Sequence, residues 1–149
     1  MARSETVQVL GLRQIGERFA KLATKAQRSA ASGATGRAAA VIRKAAVAKV
    51  VANPSIDTGD LRASIIVKKV PRSQSKLTSE HIVTVRGRGK PYNKKGQRIN
   101  RAPHAHLVEF GTVKMPAEPF LRPAFDSRKS EAIDVMRTTL EKRLIKEKV

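Results

Sequence analysis

Three groups of residues have types and spacings that chemistry could use. Asp57 and Asp60 make a close carboxylate pair, the kind general acid–base catalysis employs. They flank Thr58-Gly59, however, where short polar side chains bond nearby backbone and glycine tolerates positive φ, so they read as turn formers and caps. His104, His106 and Glu109 offer imidazole and carboxylate ligands. On a strand His106 and Glu109 fall on opposite faces, and zinc normally takes three or four protein ligands, so no metal is expected. Gly87-Arg88-Gly89-Lys90 looks like a phosphate loop, but the Walker spacing and the Ser or Thr after the lysine are missing. The serines lack a nucleophile elbow or a paired base, and cysteine is absent. The sequence predicts no enzyme, no cofactor and no metal.

Charge is the other chemical feature. The 149 residues hold 31 Lys and Arg against 12 Asp and Glu, a net charge of +19. Residues 1–53 contribute +8 and residues 81–104 another +7, whereas residues 105–126 stand at −1. Arg86, Arg88, Lys90, Lys94, Lys95, Arg98 and Arg101 form a basic arm. Such an arm can contact DNA phosphates, with steep salt dependence, or dock on an acidic protein neighbour. Tyr92 is its one aromatic, too few for a single-strand stacking platform. No helix-turn-helix, zinc-finger or RNA-recognition signature appears. No apolar run is long enough for a membrane helix, and the N-terminus has no secretory pattern, so intracellular synthesis is expected.

These residues must be held by elements that periodicity predicts. Thr6–Leu10 suggests a short strand. Leu12, Ile15, Phe19, Leu22 and Ala26 then make one apolar helical stripe. Ser32-Gly33 and Gly36 interrupt or kink it. A second helix follows to about Ala52, with Ala38, Val41, Ala45, Ala48 and Ala52 on its stripe, and Asn53-Pro54 stops it. Ala63–Val70 and His81–Arg86 read as two strands of an antiparallel hairpin. A long basic loop spans about 86–104, and His106–Phe110 reads as a third strand. Pro116, Pro119 and Pro123 keep the next stretch extended. A closing helix from about Phe125 carries Ile133, Met136, Leu140 and Leu144 on one stripe. The expected architecture is one α+β domain over residues 1–149. It has two N-terminal helices, a small antiparallel sheet of about three to four strands, and a C-terminal helix.

Three motifs in order narrow the function. They are Thr58, Gly59, Leu61, Arg62 and Ser64; then Val108, Glu109, Phe110, Gly111 and Thr112; then Pro119, Phe120, Leu121, Arg122, Pro123 and Ala124. Together they resemble a family of small neck and tail-completion proteins of long-tailed bacteriophages. The resemblance implies a virion structural protein without enzymatic activity. It would form a ring at the head–tail junction, between head-closure or connector proteins and the tail terminator or tail tube, around the DNA channel. Sixfold symmetry is the expectation, with a twelvefold ring on the portal side as the alternative. The chain would be assembled in the host cytoplasm. A tail-terminator ring of the same particle and a basic nucleic-acid-binding architectural protein are the alternatives.

The motif residues then become fold and subunit-interface determinants. Gly59 and Gly111 suit tight turns at strand ends. Phe110 and Phe120, two of five aromatics, would anchor the sheet against the helices or a neighbouring subunit. Arg62, Glu109 and Arg122 are candidates for ion pairs between subunits or for ordinary surface pairs. A ring needs a heterologous interface, one patch meeting a different patch on the next copy.

Overall fold

Small side chains let two long helices lie against each other and frame the molecule. The computed structural model describes residues 12–20, 24–53, 59–71, 79–87, 96 and 101–146. In chain order the elements are α1 (Leu12–Ala20), α2 (Thr24–Val51), α3 (Asp60–Ser64), β1 (Ile65–Lys69), β2 (His81–Val85), α4 (Ala105–Phe110) and α5 (Leu121–Lys146). At 1.5 Å per residue, α2 and α5 are each about 40 Å long. They run antiparallel: Arg143 near the end of α5 bonds Ser29 near the start of α2, while Ala124 at the start of α5 packs with Ala46 and Val50. The buried residues of α2 are Ala30, Ala34, Ala39, Ala46 and Val50. Its buried side is therefore rotated from the expected stripe, and Ala48 and Ala52 are exposed.

The predicted break at Ser32-Gly33 and Gly36 is absent, because both glycines sit inside α2 for packing reasons. A Cβ on Gly33 would lie 2.3 Å from the Arg143 guanidinium, which donates to the Ser29 carbonyl at 2.8 Å and its hydroxyl at 3.1 Å. A Cβ on Gly36 would lie 3.3 Å from His81 Nε2. Before these glycines, α1 ends at Ala20 and α2 is described from Thr24. Gln27 turns back to bond the Phe19 carbonyl at 3.0 Å. Ile15 of α1 and Leu144 of α5 are buried together, with Phe19, Ala26 and Leu140 around them.

The hairpin forms as its alternation predicts. β1 and β2 pair antiparallel, with Ile65 opposite Val85 and Lys69 opposite His81. Ile65, Val83 and Val85 face α2 in the main core, and Ile82 is exposed. The chain is thus mixed helix and strand, but its sheet has two strands among the described residues, fewer than the three to four expected. The expected strand Thr6–Leu10 lies outside the described residues. The expected strand His106–Phe110 is instead α4. Its exposed His106 and Phe110 are four apart, and the buried Ala105 and half-buried Val108 and Glu109 share the other side. Five residues do not distinguish a period of two from one of 3.6. The C-terminal helix starts at Leu121, four residues before the expected Phe125. Pro123 lies in its first turn, where the missing N–H costs nothing, and so does not hold an extended segment.

His81 joins the hairpin to α2. Its Nδ1 lies 2.9 Å from the Thr35 hydroxyl, which also lies 2.9 Å from the Ala31 carbonyl. The single hydroxyl proton goes to that carbonyl, so the His81 Nδ1–H donates to Thr35. Burial and, secondarily, the Lys69 charge lower the His81 pKa. Ser79, at 3.4 Å from Thr35, and the exposed Glu80 complete its surroundings. The unfolded chain therefore takes up a proton at about pH 6.5 while the folded chain still resists it. Stability from this group is complete above that pH and is lost as pH falls toward the folded pKa. Urea midpoints should drop as pH falls below about 6.5. His81→Gln should flatten that part of the profile, and an unchanged slope would refute the assignment.

Candidate assembly site

The second and third motifs fold into one unit through a single carboxylate. α4 is started by the Leu107 and Val108 amides bonding the His104 carbonyl, at 2.9 and 3.4 Å. It ends at Gly111, whose φ of 73° and ψ of −178° suit glycine alone. A tight hairpin follows: the Thr112 N–H donates to the Met115 carbonyl at 2.8 Å, and the Met115 N–H returns to Thr112 at 3.3 Å. The chain then doubles back, with the Glu118 N–H on the Val108 carbonyl at 2.9 Å. Asn53, at the end of α2, donates from Nδ2 to the Glu118 carboxylate at 2.6 Å.

α5 then begins without a local cap, because Phe120 precedes its first residue where Ser, Thr, Asp or Asn would normally stand. Glu109 supplies the cap from α4. Its Oε2 accepts from the amides of Phe120 at 2.8 Å and Leu121 at 2.9 Å, and its Oε1 from Arg122 at 3.1 Å. Pro123 has no N–H to satisfy. A negative group at this helix end also meets the positive end of the helix dipole. Charge-assisted bonds of this kind are stronger than neutral ones. Glu109→Gln keeps the shape but loses the charge and one accepting oxygen, so it should cost about 1–2 kcal/mol in urea unfolding. The Phe120–Arg122 amides should become the first of α5 to exchange hydrogen; protection equal to the native chain would rule the cap out.

The other predicted residues distribute between core and surface. Leu61 and Phe120 are buried at 3% and 1% exposure, in one core with Ala46, Val50, Ile65, Ala105 and Ala124. Ser64 is fully buried, its hydroxyl on the Asp60 carbonyl and its own carbonyl accepting from the Arg86 amide. Leu121 is half-buried against that core. Arg62, Thr112, Pro119 and Arg122 are exposed. Gly59 is exposed with φ −30° and ψ −29°, ordinary right-handed geometry, so the expected need for positive φ is not met there. Thr58 lies outside the described residues.

Phe110 does not join Phe120 in the core but stands 73% exposed. With Val113, wholly exposed, and Met115, 40% exposed, it forms an apolar tip on the 110–117 hairpin. Sequence reasoning missed this tip, though a Val and a Met beside the motif phenylalanine were its signal.

Of the basic arm, Arg86 and Arg101 stand at its stem. The Ala102 amide donates to the Arg86 carbonyl at 3.0 Å, drawing the two ends together. Arg101 Nε and Nη1 are buried with no hydrogen-bond partner among the described residues. Arg88, Lys90, Lys94, Lys95 and Arg98 lie outside the described residues. Much of the +8 counted over residues 1–53 falls on α2, which carries Lys25, Arg28, Arg37, Arg43, Lys44 and Lys49 and no acid. Arg43 Nε bonds the Ile65 carbonyl at 2.7 Å, so β1, with its exposed Lys68 and Lys69, lies along the same helix.

The carboxylate pair and the histidines form no chemical centre. Asp57 is outside the described residues, and Asp60 opens α3. His106 Nδ1 donates to the Pro103 carbonyl at 3.0 Å. On the α4 helix His106 and Glu109 are three residues apart and not on opposite strand faces, yet Glu109 is held by α5. No three His, Cys, Asp or Glu among the described residues are placed to hold a metal.

Residues 13–111, two thirds of the chain, match the model of a protein family described as "Bacteriophage HK97-gp10, putative tail-component". The match contains the first motif and the second as far as Gly111, and ends before Thr112 and the third motif. No curated protein and no solved structure shows significant similarity to the chain.

Proposed function

From the premise that the chain belongs to the HK97-gp10-like family of phage tail components, we propose that it is a ring-forming neck or tail-completion subunit. The family makes it a structural protein of the phage virion. Its place at the head–tail junction, around the DNA channel, is our reading. The observation that carries the reading is the Glu109-capped unit, which fixes an apolar tip in place and leaves it uncovered. Stability of the single chain does not call for such a surface, whereas subunit assembly does. Head-closure or connector proteins on one side and a tail-terminator or tail-tube protein on the other are the proposed neighbours. No helix among the described residues is long and apolar enough to cross a membrane.

Particles assembled with this chain deleted should contain separate heads and tails. Fully joined particles lacking the chain would overturn the proposal. If native particles carry the chain at the junction but not in the tail-side ring, the terminator reading is the one refuted.

α2, which carries no acid and exposes Arg37, Lys44 and Lys49, favours a second contact, with the phosphates of the duplex in the channel. Transient contact is the relevant kind, because a genome that slides past cannot be held tightly. Neutralising Arg37, Lys44 and Lys49 should reduce duplex binding and flatten its salt dependence while assembly proceeds. Strong salt-dependent binding by the isolated chain, with no role in particles, would support the architectural nucleic-acid binder.

A further inference from the structure

The outer edge of β2 is open among the described residues, and the register shows which groups stand on it. The Arg86 amide bonds the Ser64 carbonyl and the Val70 amide bonds the Glu80 carbonyl, so the even-numbered residues of the hairpin exchange the ladder hydrogen bonds. The odd-numbered residues therefore turn their N–H and C=O groups outward. On β1 the Arg43 guanidinium takes one of these, the Ile65 carbonyl. On β2 they belong to His81, Val83 and Val85, and no hydrogen bond from another described residue reaches them. Such an edge is a template for a further strand.

Beneath that edge lies a groove of about 450 Å³ between β2, α2 and α5. Ala38, Ile42, Val83, Leu121, Phe125 and Met136 make it apolar, and Phe125 stands 51% exposed. The occupant must offer backbone groups to the edge and apolar side chains on one face. Residues 6–10, Thr-Val-Gln-Val-Leu, have that pattern, with the β-branched Val7 and Val9 alternating with Thr6 and Gln8 and no charge among them. Place in the chain favours this segment over a second copy. Leu10 stands two residues before Leu12, where α1 begins. Ile15 of α1 shares a groove with Thr35 and Met136, and the same two residues line the groove under β2. Thr35 also holds His81, at the start of β2. Residues 6–11 reach about 20 Å when extended, against about 17 Å for β2, and entry from the His81 end makes them antiparallel to it. We propose that Thr6–Leu10 adds to the outer edge of β2 as a strand of the same chain, with Val7 and Val9 in the α2–β2–α5 groove. Val9 stands opposite His81 and Val7 opposite Val83, which sets Gln8 opposite Ile82 on the outer face. The contact closes, within the subunit, an apolar surface that would otherwise attract neighbours, and it does not depend on the ring reading.

Amide hydrogen exchange in the native chain tests the pairing residue by residue. The His81 and Val83 amides should exchange at least about a hundredfold slower than open amides, as Ile82 and Thr84 do through their bonds to β1. Val9→Pro removes the N–H that pairs with β2 and should speed exchange at His81 and Val83 about tenfold or more, with Ile82 and Thr84 still protected. Fast exchange at His81 and Val83 in the native chain, or protection that Val9→Pro leaves untouched, would overturn the proposal. The chain has no cysteine, so introduced thiols report contacts without background. The double variant Gln8→Cys, Ile82→Cys should be joined by a short bismaleimide within one chain, which keeps the size of a monomer. Joined dimers and larger species would overturn the same-chain strand in favour of one donated by a neighbouring copy. No joining of either kind would overturn the strand itself.

Discussion

Phe120→Ala lowers the free energy of unfolding by about 3–5 kcal/mol, the cost of removing a fully buried aromatic side chain and leaving a cavity. For a chain of this size that corresponds to roughly 10–15 °C in Tm. The large value follows from its position. Phe120 is 1% exposed and packs with Leu61 of the first motif and Ile65 of β1, Ala46 and Val50 of α2, and Ala105 of α4. Three separate pieces of chain meet on this ring, so no single segment can shift to fill the space. The loss should also loosen the start of α5, since the Phe120 amide is one of the three held by Glu109. Phe110→Ala provides the contrast. At 73% exposure it should change the unfolding free energy by less than about 0.5 kcal/mol. Equal effects in urea unfolding of the two variants would show that both rings are structural and would remove the tip from the assembly argument.

That contrast also shows where sequence reading succeeded and where it stopped. The alternation of His81–Val85 and the stripe through Ile133, Met136, Leu140 and Leu144 sit on single elements, and both the hairpin and the C-terminal helix formed as expected. Leu144 is buried, while Ile133, Met136 and Leu140 are half-buried. Phe110 and Phe120 have the same side chain within related motifs, and only tertiary placement separates core from surface. Gly33 and Gly36 were ambiguous for the same reason. Glycine disfavours a helix locally, yet Arg143 and His81, distant in sequence, need the space. The helix start at Leu121 was hidden because its cap comes from Glu109, eleven to thirteen residues upstream. Glu109 and Phe120 stand in the motifs, but their partners are set by contacts that no local window contains.

Gly111→Ala should be the second most damaging change, at about 2–4 kcal/mol, through backbone strain and a clash acting together. The φ of 73° already disfavours any side chain. A Cβ would also lie 2.7 Å from the Ala117 amide nitrogen and 3.0 Å from the Met115 carbonyl oxygen. Those are backbone atoms of the tip itself, which is held by the Thr112–Met115 and Glu118–Val108 bonds and cannot turn aside as a flexible side chain would. Asparagine often replaces glycine after a helix because it tolerates the left-handed region, but there ψ is near +47°. Here ψ is −178°, so Gly111→Asn should fare no better than alanine. Gly59→Ala is the matched control: its backbone is right-handed, and among the described residues a Cβ would meet only the Arg62 guanidinium at 3.8 Å. It should be neutral or slightly stabilising, since alanine loses less backbone entropy. Native stability in Gly111→Asn would contradict the ψ argument. If Gly111→Ala folds but with a displaced tip, it should also enter particles less, and the glycine would then matter to assembly through the direction in which it sends Val113 and Met115.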